Sequence, residues 1–108
     1  MSEYSPYTWV VIKFKGDDPH YRVLGSWSGG YLDGDSWRMN SGITRMDEGG
    51  RYYYFFGSSG SCYICNKESY GMIFNTSIVY ENFKGQLGDN IELMPQDTDW
   101  KTVDWIIS

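Results

Sequence analysis

Over residues 7–15 the chain alternates with a period of two: Val10, Ile12 and Phe14 point one way, and Trp9, Val11, Lys13 and Lys15 the other. The pattern predicts an antiparallel strand with one covered face and one that turns wet towards its end. Gly16, Asp17, Asp18 and Pro19 are turn residues, and residues 20–27 read as the returning strand, with Tyr21, Val23 and Trp27 on one face. A Gly/Asp loop is expected over residues 28–36. Beyond it Trp37, Met39, Ser41 and Ile43 alternate with Arg38, Asn40 and Thr44, and Asp47-Glu48-Gly49-Gly50 can close a second hairpin onto residues 51–56. Residues 57–61 form another loop, and residues 62–66 a fifth short strand.

The periodicity changes after Asn75. Ile78, Val79 and Phe83 share a helical face, Asn75, Thr76 and Ser77 can each cap its start, and Gly85 can end it, which predicts one short helix near residues 76–84. Residues 91–94 read as a strand. Residues 100–107 fit a strand through Val103, Trp105 and Ile107, or a helix face through Trp100, Val103 and Ile107; the β-branched ending favours the strand. The expected fold is mainly β: a single domain, residues 1–108, with a compact antiparallel sheet curled into a small barrel or sandwich and one short helix. Its expected core includes Val10, Ile12, Phe14, Val23, Tyr54 and Phe56.

Composition supports this reading. Ten Tyr, five Trp and five Phe stand beside a complete lack of Ala, so the best helix former is missing while residues suited to a pleated surface abound. At 108 residues, one hydrophobic core needs neither disulfide nor metal to fold. A net charge of −5 disfavours passive attraction to nucleic acid or anionic lipid. The longest apolar stretches fall far short of the roughly 20 residues that span a bilayer, and the polar N-terminus lacks signal-peptide character. A cytoplasmic location and no membrane contact are expected.

The candidate chemistry is sparse. Cys62 and Cys65 have the C-x-x-C spacing of redox motifs and zinc half-sites, but His20 is the only histidine, and on a strand the two thiols face opposite ways. They read as structural thiols, with a disulfide or an intersubunit metal site as the alternatives. Asp33-Gly34-Asp35 lacks the Glu that a calcium loop carries at its twelfth position, where Thr44 stands. No P-loop, nucleophile elbow or Ser-His-Asp pattern is present, so no catalytic residue, metal or cofactor is assigned.

The most suggestive features are two small-residue loops bearing aromatics, Gly25-Ser26-Trp27-Ser28-Gly29-Gly30-Tyr31 and Phe56-Gly57-Ser58-Ser59-Gly60-Ser61-Cys62-Tyr63. Gly admits a ligand to the backbone, Ser and N–H groups donate hydrogen bonds, and Trp or Tyr offers a flat face to a base or sugar. Trp27, Tyr31, Trp37, Arg38, Ser58 and Tyr63 are the candidate binding residues, with Arg22 and Arg45 as further sources of a charge-assisted contact. The competing reading is of ordinary hairpin loops whose aromatics fill the core.

The stretch Tyr31-Leu32-Asp33-Gly34-Asp35-Ser36-Trp37-Arg38-Met39-Asn40-Ser41-Gly42, within an acidic, aromatic-rich chain of this size, resembles the small accessory proteins of tailed bacteriophages. The resemblance implies a non-enzymatic binding module in the host cytoplasm that inhibits a host defence system, by occluding a host protein or by sequestering a small nucleotide. Self-association is compatible with it. A carbohydrate-binding virion module and a small hydrolase are the alternatives from other classes.

Overall fold

The computed structural model describes residues 2–30 and 34–105. The first alternating segment is strand β2 (Thr8–Phe14), after a short β1 (Ser2–Tyr4), and it is buried along both faces from Trp9 to Ile12. The second face turns wet only at its end, as expected, where Lys13 is half-buried and Lys15 exposed. Trp9 and Val11 enter one core, with Tyr21, Val23, Ile43, Phe55, Tyr63, Cys65 and Trp100. Val10 and Ile12 enter a second, with Leu24 and Ile91. A strand that alternates between two apolar environments must sit in the middle layer of three.

The layers follow from the strand order. β3 (His20–Gly30) pairs antiparallel with β2, and β4 (Gly34–Met39) with β3; β8 (Ile91–Leu93) takes the other edge of β2, giving the order β4-β3-β2-β8. The second sheet has the order β1-β7-β6-β5, from β5 (Ile43–Gly49), β6 (Tyr52–Gly57) and β7 (Ser61–Asn66). Its β1–β7 pair is parallel, so the all-antiparallel expectation gives way there. The protein is thus mainly β, with two separate four-stranded sheets and one α-helix; the described strands do not close into a barrel.

Two expected elements were in fact joined or split. The expected loop over residues 28–36 is largely β3 and β4 continued, with a register shift between Trp27 and Gly30. Conversely, the alternation from Trp37 to Thr44 is two strands in different sheets, because the chain leaves β4 after Met39 and crosses at Asn40-Ser41-Gly42 before entering β5. Gly42 takes φ +137° at this crossover. The β5–β6 hairpin closes one residue later than expected: Gly49 pairs with Tyr52, and Gly50 takes the positive φ of +57° that a two-residue loop demands.

The core on β6 is also offset by one residue from expectation. Phe55 is fully buried between the sheets, whereas Tyr54 and Phe56 lie half-buried on the opposite face, where the Arg45 guanidinium covers the Phe56 ring at 3.8 Å. In a run of five consecutive aromatic residues the period of two does not say which parity faces inward. Phe14 is half-buried too, packed against the helix-side core.

Helix α1 (Phe74–Leu87) covers the outer face of the first sheet with Val79, Tyr80 and Phe83. It starts earlier than expected, because the buried Thr76 hydroxyl reaches back, accepting from Ile73 N–H at 3.0 Å and donating to the Ile73 carbonyl. It runs through Gly85 and ends at Gly88, whose φ of +58° makes the C-cap. Ile78, expected on the packed face, is 45% exposed.

After β8 the chain returns over the inter-sheet core without a strand. Residues 100–102 form a turn, tied by Thr102 N–H and its hydroxyl to the Asp99 carbonyl, and 103–105 are irregular, so no strand forms over the described residues 100–105; Ile106 and Ile107 lie outside the described residues. Trp100 nonetheless fills the core, at 5.8 Å from Trp9 and 5.9 Å from Phe55, with Trp105 stacked upon it. Turn propensity decided the backbone while the indoles supplied the burial.

The C-terminal segment is also held by charge. Glu48 pairs with Lys101 at 2.8 Å and with Lys67, and hydrogen bonds from Lys101 and then Lys67 hold its carboxyl below its ordinary 4.5; the Glu48 hydrogen bond raises Lys101 above 10.5. A lowered carboxylate stabilises fully above its unfolded pKa and loses that contribution as pH falls through the folded value; a raised lysine loses its own as pH rises through the folded value. Glu48→Gln is therefore expected to flatten the acid side of the melting-temperature profile below pH 4.5, and the parent's advantage to shrink in high salt. An unchanged profile would show that the pair does not contribute.

Candidate functional site

The crossover at Asn40-Ser41-Gly42 leaves a hollow between the two sheets. Its volume is about 330 Å³, and its walls are Tyr4 from β1, Arg22, Arg38 and Met39 from the first sheet, Asn40 and Ser41 from the crossover, Ser59 from the β6–β7 loop, and Ser61 and Tyr63 from β7. No carboxylate lines it among the described residues, and neither arginine has an ion-pair partner among them. The result is a locally positive, hydroxyl-rich pocket in an acidic protein.

Each wall is fixed by neighbours. The Arg38 guanidinium lies 4.5 Å from the centre of the Tyr4 ring, and Tyr4 packs on Tyr63 at 5.2 Å, forming a column from surface to core. Tyr63 is almost fully buried, and burial pushes its hydroxyl up to about 12, so it stays protonated. Arg22 donates from Nε to His20 Nε2 at 2.9 Å, while His20 Nδ1 is 2.6 Å from the Asp18 carbonyl and its ring stacks on Phe14. In this arrangement Nε2 is the acceptor for Arg22. Asn40 binds the backbone of Val23 twice, through its own N–H and through Oδ1.

A second, shallower groove of about 290 Å³ adjoins the pocket and shares Tyr4 and Arg38 with it; Trp27, Ser36 and Trp37 complete its walls. Trp27 is half-buried and donates its indole N–H to the Ser5 carbonyl at 3.0 Å. The register pairs Trp27 with Ser36 and Ser26 with Trp37, which sets the two indoles on opposite faces of the β3–β4 ribbon. Trp37, 46% exposed, therefore also borders a hollow against α1, beside Val79 and Phe83. The ring platform on the pocket side is Tyr4 and Trp27.

Of the residues singled out from sequence, Arg38 and Tyr63 line the polar pocket, and Trp27, Trp37 and Arg38 line the groove. Ser58 stands outside, in a hollow with His20, Arg22 and Thr44, and its hydroxyl donates to Ser41, which belongs to both hollows. Tyr31 lies outside the described residues. Arg45 is remote, paired with Asp47 at 2.9 Å beside the Glu48 cluster. That cluster borders a larger hollow, of about 700 Å³, but each of its cations is already ion-paired, Arg45 with Asp47 and both Lys67 and Lys101 with Glu48. Tyr4, Asn40, Ser41, Ser59 and Ser61 were not singled out as site residues; the polar Asn-Ser-Gly interruption after Met39 was the available signal for the crossover.

Both thiols are free and buried, and burial raises both, Cys65 well above its ordinary 9.0. Cys65 belongs to the inter-sheet core, while Cys62 sits on the other face of β7, beside Phe56. A thiol reagent is expected to label neither in the native protein and both on denaturation. Rapid native labelling would contradict this burial.

No group of three or more metal-ligating side chains occurs among the described residues, and no helix among them is long and apolar enough to cross a membrane. No family model matches the chain, nor does any curated protein or solved structure.

Proposed function

We propose that this domain, a small two-sheet sandwich backed by a helix, is a non-enzymatic binding module for a small flat anion, with a nucleotide as the chemical class. The observation that carries the reading is the sharing of Tyr4 and Arg38 between the ring-lined groove and the carboxylate-free pocket. A ring resting on Tyr4 and Trp27 would direct an attached anionic group past Arg38 into the pocket. Both ring nitrogens of His20 are engaged, and no hydroxyl of the Ser41, Ser58 and Ser59 cluster is bonded to it among the described residues, which favours binding over hydrolysis.

Within the phage counter-defence reading, this site favours sequestration of a small nucleotide over occlusion of a host protein. Occlusion draws instead on the exposed Phe74 and Ile78 of α1, which lie outside both hollows. Calorimetric titration with a nucleoside monophosphate, its parent nucleoside and a simple sugar separates the readings. The nucleotide is expected to bind best. Preference for the sugar would favour the carbohydrate module, and no binding of any of them would sink the small-ligand reading.

A further inference from the structure

We propose that the inner end of the polar pocket, beneath the Asn40-Ser41-Gly42 crossover, is a seat for a phosphoryl group, so that the ligand is a phosphate ester and the phosphate enters first. This rests on reading the hollow as a ligand site and goes further by naming the group and the atoms that hold it.

Asn40 and Ser61 are 3% and 8% exposed, yet Asn40 Nδ2 and Ser61 Oγ have no hydrogen-bond partner. Such orphans are uncommon in buried positions and call for an explanation. The amide orientation of Asn40 is chemically determined, because Oδ1 must accept the Val23 N–H at 2.9 Å, leaving Nδ2 as the unpaired end. What is missing is therefore an acceptor. Gly57 lies against the same atoms: a Cβ built on it would stand 2.9 Å from Ser61 Oγ, 3.3 Å from Ser41 Oγ and 3.5 Å from Asn40 Nδ2. Its lack of a side chain opens a polar notch in which a ligand oxygen can rest against the backbone.

Arg38 lines the same hollow and supplies the charge, while Arg22, which also borders it, is held by His20 and Met39 over the Phe14 ring. Donors offered around one hollow by the crossover, by β7 and by Arg38 suit a tetrahedral oxyanion with several terminal oxygens. A planar carboxylate, with two oxygens, would satisfy fewer of them. A single buried water is the competing occupant, because it too can accept from Asn40 and Ser61.

The test is phosphorus NMR and calorimetry on the full chain, with inorganic phosphate, sulfate, a nucleoside monophosphate and its nucleoside as probes. The variants are Asn40→Asp and Gly57→Ala. Asn40→Asp keeps the acceptor for Val23 but replaces the unpaired donor by a carboxylate oxygen; Gly57→Ala fills the notch and needs no unusual backbone angle. Each is expected to weaken nucleotide and inorganic phosphate at least about tenfold, the scale of one charge-assisted hydrogen bond, and to leave the nucleoside unaffected. If Asn40→Asp does not fold, Gly57→Ala decides alone. A parent protein that binds the nucleoside as well as the nucleotide overturns the phosphoryl seat and leaves the ring groove standing, whereas binding of none of the probes overturns both. Phosphate or sulfate binding that survives both variants means an adventitious ion only, and overturns the seat.

Discussion

Replacing Trp9 by Ala is expected to cost about 3 to 5 kcal/mol of folding stability, the range for truncating a fully buried large aromatic. Trp9 is 1% exposed, and its ring meets Tyr53, Phe55, Tyr70 and Trp100 at centroid distances between 4.7 and 6.0 Å. Its indole N–H also donates to the Asn66 carbonyl at 2.7 Å, which ties β2 in one sheet to the end of β7 in the other. Truncation would open a cavity where both sheets and the C-terminal segment meet, and would leave that carbonyl with only its bond from Ser69 N–H. Phe56→Ala is the control: its ring is half-buried on the outer face, and its loss should cost no more than about 2 kcal/mol. Urea unfolding of both variants checks the pair. Equal costs would show that the inter-sheet core is misplaced.

Replacing Arg38 by Ala is expected to weaken binding of a nucleoside monophosphate by about 2 kcal/mol, roughly 30-fold, because a charge-assisted contact and one wall of the groove go together. The melting temperature should hardly move, since Arg38 is exposed and its contact with Tyr4 is a cation–π pair of about 0.5 to 1 kcal/mol at such a site. Arg38→Lys should recover part of the loss: it restores the charge but not the flat guanidinium that stacks on Tyr4. The deciding measurement is affinity at low and high salt in variants whose melting temperature matches the parent. Unchanged affinity in Arg38→Ala would remove the link between groove and pocket on which the functional reading depends.

The local elements were legible in the sequence wherever a period of two met a turn signal, as in β2, β3, β7 and β8. The helix was legible through Val79 and Phe83, although its ends moved because Thr76 caps from inside the first turn and Gly88, not Gly85, takes the positive φ. The partition into two sheets was not legible. Alternation from Trp37 to Thr44 survives the crossover at Asn40, so periodicity alone reads one strand where the chain changes sheet. Tyr52 to Phe56 are aromatic throughout, and only packing against Trp9 and Trp100 picks Phe55 as the inward ring. The site suffered from the same blindness. Arg38 and Tyr63 are legible from their chemistry, but Asn40 and Ser61 matter through burial and unmet hydrogen bonds, which are properties of the assembled sheets.

Following the backbone amide and indole NMR signals of the parent protein during titration with a nucleoside monophosphate tests the central claim most directly. The account predicts saturable shifts at Tyr4, Trp27, Arg38 to Ser41 and Ser59 to Tyr63, with the signals of Glu48, Lys67 and Lys101 unmoved. Shifts confined to the Glu48 cluster or to α1, or no saturable shifts at all, would contradict it.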